Sequence, residues 1–296
     1  MAELRSIEEL TAALRTEAYL ADRGLATVMS LSLALEKPLL LEGEAGVGKT
    51  EAAKALAAIT GGRLIRLQCY EGIDVAHALY DWNHARQLLY IRTIEAGESL
   101  DAGQTLHDVF GRDFLERRPL LDAIEHSDAV PPVLLIDEID RSDDEFEAFL
   151  LELLSDFQVT IPEIGTITAT HPPIIVLTSN RTRDLHDAVK RRCLYHWIDY
   201  PSPQREVEIV RRRVKGASET LAVQVADAVS RMRDSDVQKP PGIAEAIDWL
   251  ATLDLLGIER LDAGAIGRTL GSVLKYDEDQ EVIRAAGLDQ LVRSGG

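Results

Sequence analysis

The feature that most limits what this chain can fold into is a run of eight residues, Gly43 to Thr50, reading GEAGVGKT. It has the G-x-x-x-x-G-K-[ST] spacing of a phosphate-binding loop. It follows an apolar run, Pro38–Glu42 (PLLLE), and opens a helical pattern over Thr50–Ile59. The motif needs that order of strand, glycine-rich turn and helix, because N–H groups at the turn and helix start then point at phosphate oxygens. On this reading Gly43, Glu44, Ala45, Gly46, Val47 and Gly48 form the cradle. Lys49 reaches the β- and γ-phosphates, and the Thr50 hydroxyl ligates Mg²⁺.

Further short apolar runs share the character of PLLLE: Leu64–Gln68, Val133–Ile136, Ile174–Thr178 and Tyr195–Ile198. Most are rich in Leu, Ile and Val with little alternation, as expected of parallel strands covered by helices on both faces. Gln158–Thr170 carries two alternating runs around Pro162 to Gly165 and predicts a β-hairpin before the fourth strand. After YPSP (Tyr200–Pro203) the strand signal stops. Helical periodicity takes over at Gln204–Lys215, Glu219–Met232, Ala244–Leu256 and Gly264–Lys275. The expectation is an α/β domain over residues 1–201, with a three-layer P-loop core around a parallel five-stranded sheet, and a small all-helical domain over residues 202–296.

Val133 to Asp140 reads VLLIDEID, a strand ending in two acids about 90 residues beyond the loop. Asp137 is where an Mg²⁺-holding carboxylate is needed, acting through water, and Glu138 is placed to polarise an attacking water. Alone, such a strand end is common; the phosphate loop is what gives it chemical meaning. The acids that follow (Asp140, Asp143, Asp144, Glu145 and Glu147) read as a solvated helix face. The fourth strand ends at Asn180, an amide able to touch a γ-phosphate or orient a water, or else a strand-end cap. Leu185–Arg192 (LHDAVKRR) ends in three cations before the fifth strand. Their bland explanation is the helix dipole; the sharper one is an arginine finger offered in trans to a neighbour's γ-phosphate. Arg191 and Arg192 are the candidates, with Arg192, nearer the strand, preferred.

Composition narrows the partners. Lys plus Arg number 32 against 50 Asp plus Glu, a net charge of −18 over 296 residues. Nucleic acid and anionic membrane would be repelled over most of such a surface. Cys69 and Cys193 lie far apart, which excludes a disulfide scaffold and fits a reducing compartment. The start, MAELRSIEELTAAL, is acidic where a secretory signal is apolar. Leu31–Leu41 is broken by Ser32, Glu36, Lys37 and Pro38, too short and polar for a span. A soluble cytoplasmic protein without membrane insertion is expected. The seven histidines form no metal-ligand spacing. Tyr80 and Trp82 read as core before partner contacts, and Arg211–Lys215 as the wet face of a helix.

In order along the chain, GEAGVGKT, VLLIDEID, TSN and DAVKRRCLYHWIDYP resemble the phosphate, metal-and-water, sensor and finger elements of AAA+ ATPases. QCYEGIDVAHALYDWNHARQLLYIR and DFLERRPLLDAI are similar to the MoxR group, and within it to a CoxD-like branch. The resemblance implies ATP and Mg²⁺ as ligands, a homo-hexameric ring, a helical lid, a hairpin before the sensor strand and an insertion within about Asp81–Gly103. It also implies chaperone-like maturation of a protein client, with a von Willebrand factor A-domain protein as partner. For the CoxD-like branch the client is a molybdenum–copper carbon monoxide dehydrogenase. One departure stands out: where the group carries a second sensor arginine, this chain has Lys239-Pro240-Pro241-Gly242, leaving Lys239 as the substitute to consider.

Three alternatives use the same loop. A nucleic-acid motor of this fold would need a basic, aromatic-laced groove, and none is visible. A small-molecule kinase or GTPase would not need Asn180 or the finger helix, and the guanine-reading Asn-Lys-x-Asp is absent, with Asn180-Arg181-Thr182-Arg183 the nearest miss. In a module that only binds ATP, Glu138 would be dispensable.

Overall fold

The structure, a computed structural model, describes residues 6–95 and 108–292. In chain order the strands are β1 (Leu39–Gly43), β2 (Leu64–Gln68), β3 (Tyr80–Trp82), β4 (Leu115–Arg117), β5 (Val133–Asp137), β6 (Gln158–Ile161), β7 (Gly165–Thr168), β8 (Ile174–Ser179) and β9 (Leu194–Ile198). Among the described residues the chain divides into two compact units. One takes in residues 6–11, 22–42, 53–95 and 108–196, the other residues 12–21, 43–52 and 197–292.

The first unit is built on a five-stranded sheet ordered β2-β5-β8-β1-β9, with β1, β2, β5 and β8 paired in parallel. Every residue of β1 and β5 is buried, which is why these runs are continuously apolar until their final polar residues. Leu40, Leu134, Ile136 and Leu177 share one core with Phe146, Leu150 and Leu153 of helix Asp144–Asp156 and with Leu120 and Leu121 of helix Pro119–Ile124. Parallel register sets the working end of the sheet: Gln68 pairs with Asp137, and Leu41 with Thr178.

The expected hairpin is β6–β7, whose strands pair antiparallel with Gln158 opposite Thr168. A second small sheet pairs β3 with β4, where Tyr80 and Trp82 meet edge-to-face at 5.7 Å. Both rings are half-buried. In the stretch where an insertion was expected, helix His84–Glu95 follows β3, and residues 96–103 lie outside the described residues. Helices Ile7–Thr16 and Arg23–Leu35 precede β1.

The second unit contains the helices Pro203–Arg213, Glu219–Arg233, Ile243–Leu255 and Ala263–Val273, close to the periodic segments. Asp277–Ala286 and Asp289–Val292 add two that periodicity did not reveal. Their core centres on Trp249, with no exposed surface, whose indole N–H donates to Thr269 Oγ1 at 2.7 Å. Met232, Leu250 and Ile266 surround it.

Candidate functional site: a phosphate loop and a strand-end carboxylate cluster

The loop after β1 needs its glycines for their backbone. Gly46 has φ +77° and Gly48 φ +97°, values at which a side chain would be strained. Helix Lys49–Thr60 follows at once. Lys49 is buried, and its ammonium donates to the carbonyls of Gly43 at 2.7 Å and Glu44 at 2.6 Å, so the cation is folded over the loop. Glu44 and Ala45 are exposed and Val47 is buried, so the loop is anchored through its valine.

At the end of β5, Asp137 is 2% exposed. Thr178 Oγ1 donates to its Oδ1 at 2.5 Å, and Arg66 Nε donates to its Oδ2 at 3.0 Å. A buried carboxylate needs such partners, and the guanidinium compensates its charge. Glu138 follows with φ +55° and ψ +51°, a left-handed conformation that costs a non-glycine residue about 1–2 kcal/mol. The strand ends at Asp137, just before this left-handed residue. Gln68 Nε2 donates to Glu138 Oε2 at 3.0 Å, Asn180 Nδ2 approaches Oε1 at 3.4 Å, and Arg141 lies 3.1 Å from Oε2. The Glu138 N–H donates to Thr178 Oγ1 at 2.9 Å. Asp137, Glu138 and Asn180 are thus brought together at the carboxyl end of the sheet.

The sequence matches the family described as "ATPase family associated with various cellular activities (AAA)" over residues 39–198. The chain belongs to the AAA ATPase family. It is 24% identical over 264 residues to an uncharacterized protein of Staphylococcus haemolyticus, covering 85% of this chain and 90% of that one. Among solved structures it is similar to a RuvB mutant of Thermotoga maritima, with a TM-score of 0.50 and 16% identity over 93% of this chain and 74% of that one. That likeness shows the shared AAA+ fold, a P-loop core with a helical region after it.

In this AAA ATPase one reading of the acids needs correcting. Asp140 and Glu147 do not lie on a solvated face. Asp140 is 2% exposed and accepts from the Asn180 N–H at 3.2 Å, the Thr182 N–H at 2.9 Å and Thr182 Oγ1 at 2.7 Å. Glu147 is buried, accepts from the His186 N–H at 2.8 Å and pairs with Arg183. For Asp140 the reason is local: a 3-10 turn, Ile139–Arg141, follows β5, and the helix starts only at Asp144, capped by Asp143. Glu147 is within that helix, on the side that meets Arg183 and His186.

The two finger candidates differ. Arg192 donates to Ser155 Oγ and to the Ala188 carbonyl at 2.9 Å, so its guanidinium is held by its own chain. The Arg191 side chain is 81% exposed, with Asp187 no nearer than 3.9 Å. Lys239 is exposed, and its main-chain N–H donates to the buried Asp279 at 3.1 Å.

Gln68, Arg66 and Thr178 are the site residues that motif reading missed. Burial pushes the Cys69 thiol, next to Gln68, up to about 12, with Asp137 and Asp140 adding to the effect. The thiol is therefore protonated and unreactive at neutral pH. Among the described residues no helix is long and apolar enough to cross a membrane. Nor do three or more His, Cys, Asp or Glu side chains converge as metal ligands. Mg²⁺ does not require such a cluster, because it is commonly held by one or two protein groups together with water and phosphate oxygens.

Proposed function

We propose that this protein is an Mg²⁺-dependent ATPase that works as a homo-hexamer to remodel or mature a protein client. The observation that carries the reading is the Glu138 carboxylate, oriented by Gln68 and Asn180 one residue beyond the buried Asp137. A general base has to be aimed before it can act, and this one is held at both oxygens.

The loop Gly43–Gly48 and Lys49 bind the polyphosphate of ATP. Thr50 and Asp137 would hold Mg²⁺, which when bound neutralises charge on the β- and γ-oxygens. Glu138 takes the proton of the attacking water, and Asn180 positions that water against the γ-phosphate. Arg191 is assigned as the residue offered to a neighbouring copy, because Arg192 is already engaged at home. Lys239 is kept as a second-sensor candidate on its place in the sequence.

The finer identity, a MoxR-group ATPase of the CoxD-like branch, rests on the motif resemblance. With it come a von Willebrand factor A-domain partner and a molybdenum–copper carbon monoxide dehydrogenase as client; the lid domain over residues 202–296 rests on helical periodicity, and a cytoplasmic site of action on the scattered cysteines and acidic start. A net charge of −18 favours a protein client over a nucleic acid.

The test compares steady-state ATP turnover of the wild type with Arg191→Ala and Arg192→Ala across protein concentration. Wild-type turnover per chain should rise as chains assemble and disappear on chelation of Mg²⁺. Arg191→Ala should lose on the order of 10³-fold in kcat, as expected for loss of a finger. Full turnover by an Arg191→Ala protein that remains monomeric would contradict the proposal.

A further inference from the structure

Helix Ile243–Leu255 begins against the phosphate loop. The Ile243 N–H donates to the Gly46 carbonyl at 3.0 Å. The preceding Gly242 is buried, and a Cβ there would stand 2.8 Å from Gly46 Cα and 2.9 Å from the Ala45 carbonyl oxygen. Only glycine permits so close an approach. The Gly242 N–H donates to Glu245 Oε2 at 2.9 Å, and a Cβ on Gly46 would stand 3.0 Å from that same oxygen. A carboxylate therefore lies against the glycine at the centre of GEAGVGKT.

The turn carrying Gly242 is held from behind. Arg233 Nε donates to the Pro241 carbonyl at 2.7 Å, and its two terminal nitrogens bind the two oxygens of the fully buried Glu206 at 2.7 Å each. Its guanidinium also lies over the Tyr200 ring at 4.4 Å. A bidentate, buried pair of this kind fixes backbone position, and it leaves this arginine committed within its own helical unit.

A carboxylate beside a polyphosphate repels it in proportion to the ligand's charge, and salt screens the repulsion. We propose that Glu245 is an affinity-setting residue of this ATPase: held on Gly46 by the Gly242–Ile243 helix start, it weakens nucleotide binding, and weakens the triphosphate more than the diphosphate. The inference rests on the reading of GEAGVGKT as an ATP site.

The experiment is fluorescence titration of full-length protein with labelled ATP and ADP, for wild type, Glu245→Gln and Glu245→Lys, at low and high salt. Gln keeps an acceptor for the Gly242 N–H, so the helix start survives, and thermal melts establish that each variant is folded. Glu245→Gln should tighten the ATP analogue about tenfold and the ADP analogue less. Glu245→Lys should tighten both further, and high salt should shrink every difference. Dissociation constants within about twofold of wild type for both variants, or weaker binding by Glu245→Gln, would overturn the assignment. Failure of folded wild type to bind either nucleotide would instead overturn the ATP-site reading, and this inference with it.

Discussion

A carboxylate that is to take a proton from water must be held in one place while keeping a lone pair for that water. Gln68 and Asn180 do this for Glu138, Gln68 at the better distance of 3.0 Å against 3.4 Å. Gln68→Leu keeps the bulk of the side chain and removes the donor. It should lower kcat by about tenfold to a hundredfold with little change in ATP affinity, because the lost contact orients a reacting group and leaves the phosphate loop alone. Turnover equal to wild type would show that Gln68 is only a polar strand end. At this scale the sequence was uneven in what it revealed. Lys49, Asp137 and Glu138 are legible because their spacing is local. Gln68 and Thr178 are not, because their role depends on strand register, Gln68 beside Asp137 and Leu41 beside Thr178, between segments far apart in the chain.

Among the elements, the Asp140 side chain is one of the ties between the loop after β8 and the turn after β5. Asp140 accepts three hydrogen bonds from Asn180 and Thr182, so the residue that carries the Asn180 amide is positioned from the neighbouring strand. Asp140→Asn is nearly isosteric but turns an NH₂ group towards donors. It should cost about 2–4 kcal/mol of stability in chemical denaturation and lower turnover as well. A stability unchanged to within about 0.5 kcal/mol would show that Asp140 is not the strap described above. The five core strands and the hairpin were readable from apolar runs and turn residues. The short β3–β4 pair was not, because three-residue strands carry too little periodicity to register. Asp140 was misread for a related reason. Acids recur at Asp140, Asp143, Asp144, Glu145 and Glu147, and only the backbone shows that a 3-10 turn separates the first of them from the helix.

For the molecule as a whole, the family assignment over residues 39–198 and the motif order establish an AAA ATPase, and hydrolysis by a ring of copies is the proposal built on it. The helical unit was legible as helices but not as a participant. Its connection to the phosphate loop runs through main-chain atoms of Gly242 and Ile243, which no side-chain motif announces. The most direct test of the central claim is mass-resolved sizing of Glu138→Gln with ATP and Mg²⁺, with turnover measured on the same sample. The substitution leaves Asp137 and the loop intact and removes the base. A hexamer-sized species with bound ATP and no hydrolysis is the expected result. A monomer that hydrolyses ATP at the wild-type rate would contradict both the role of Glu138 and the ring.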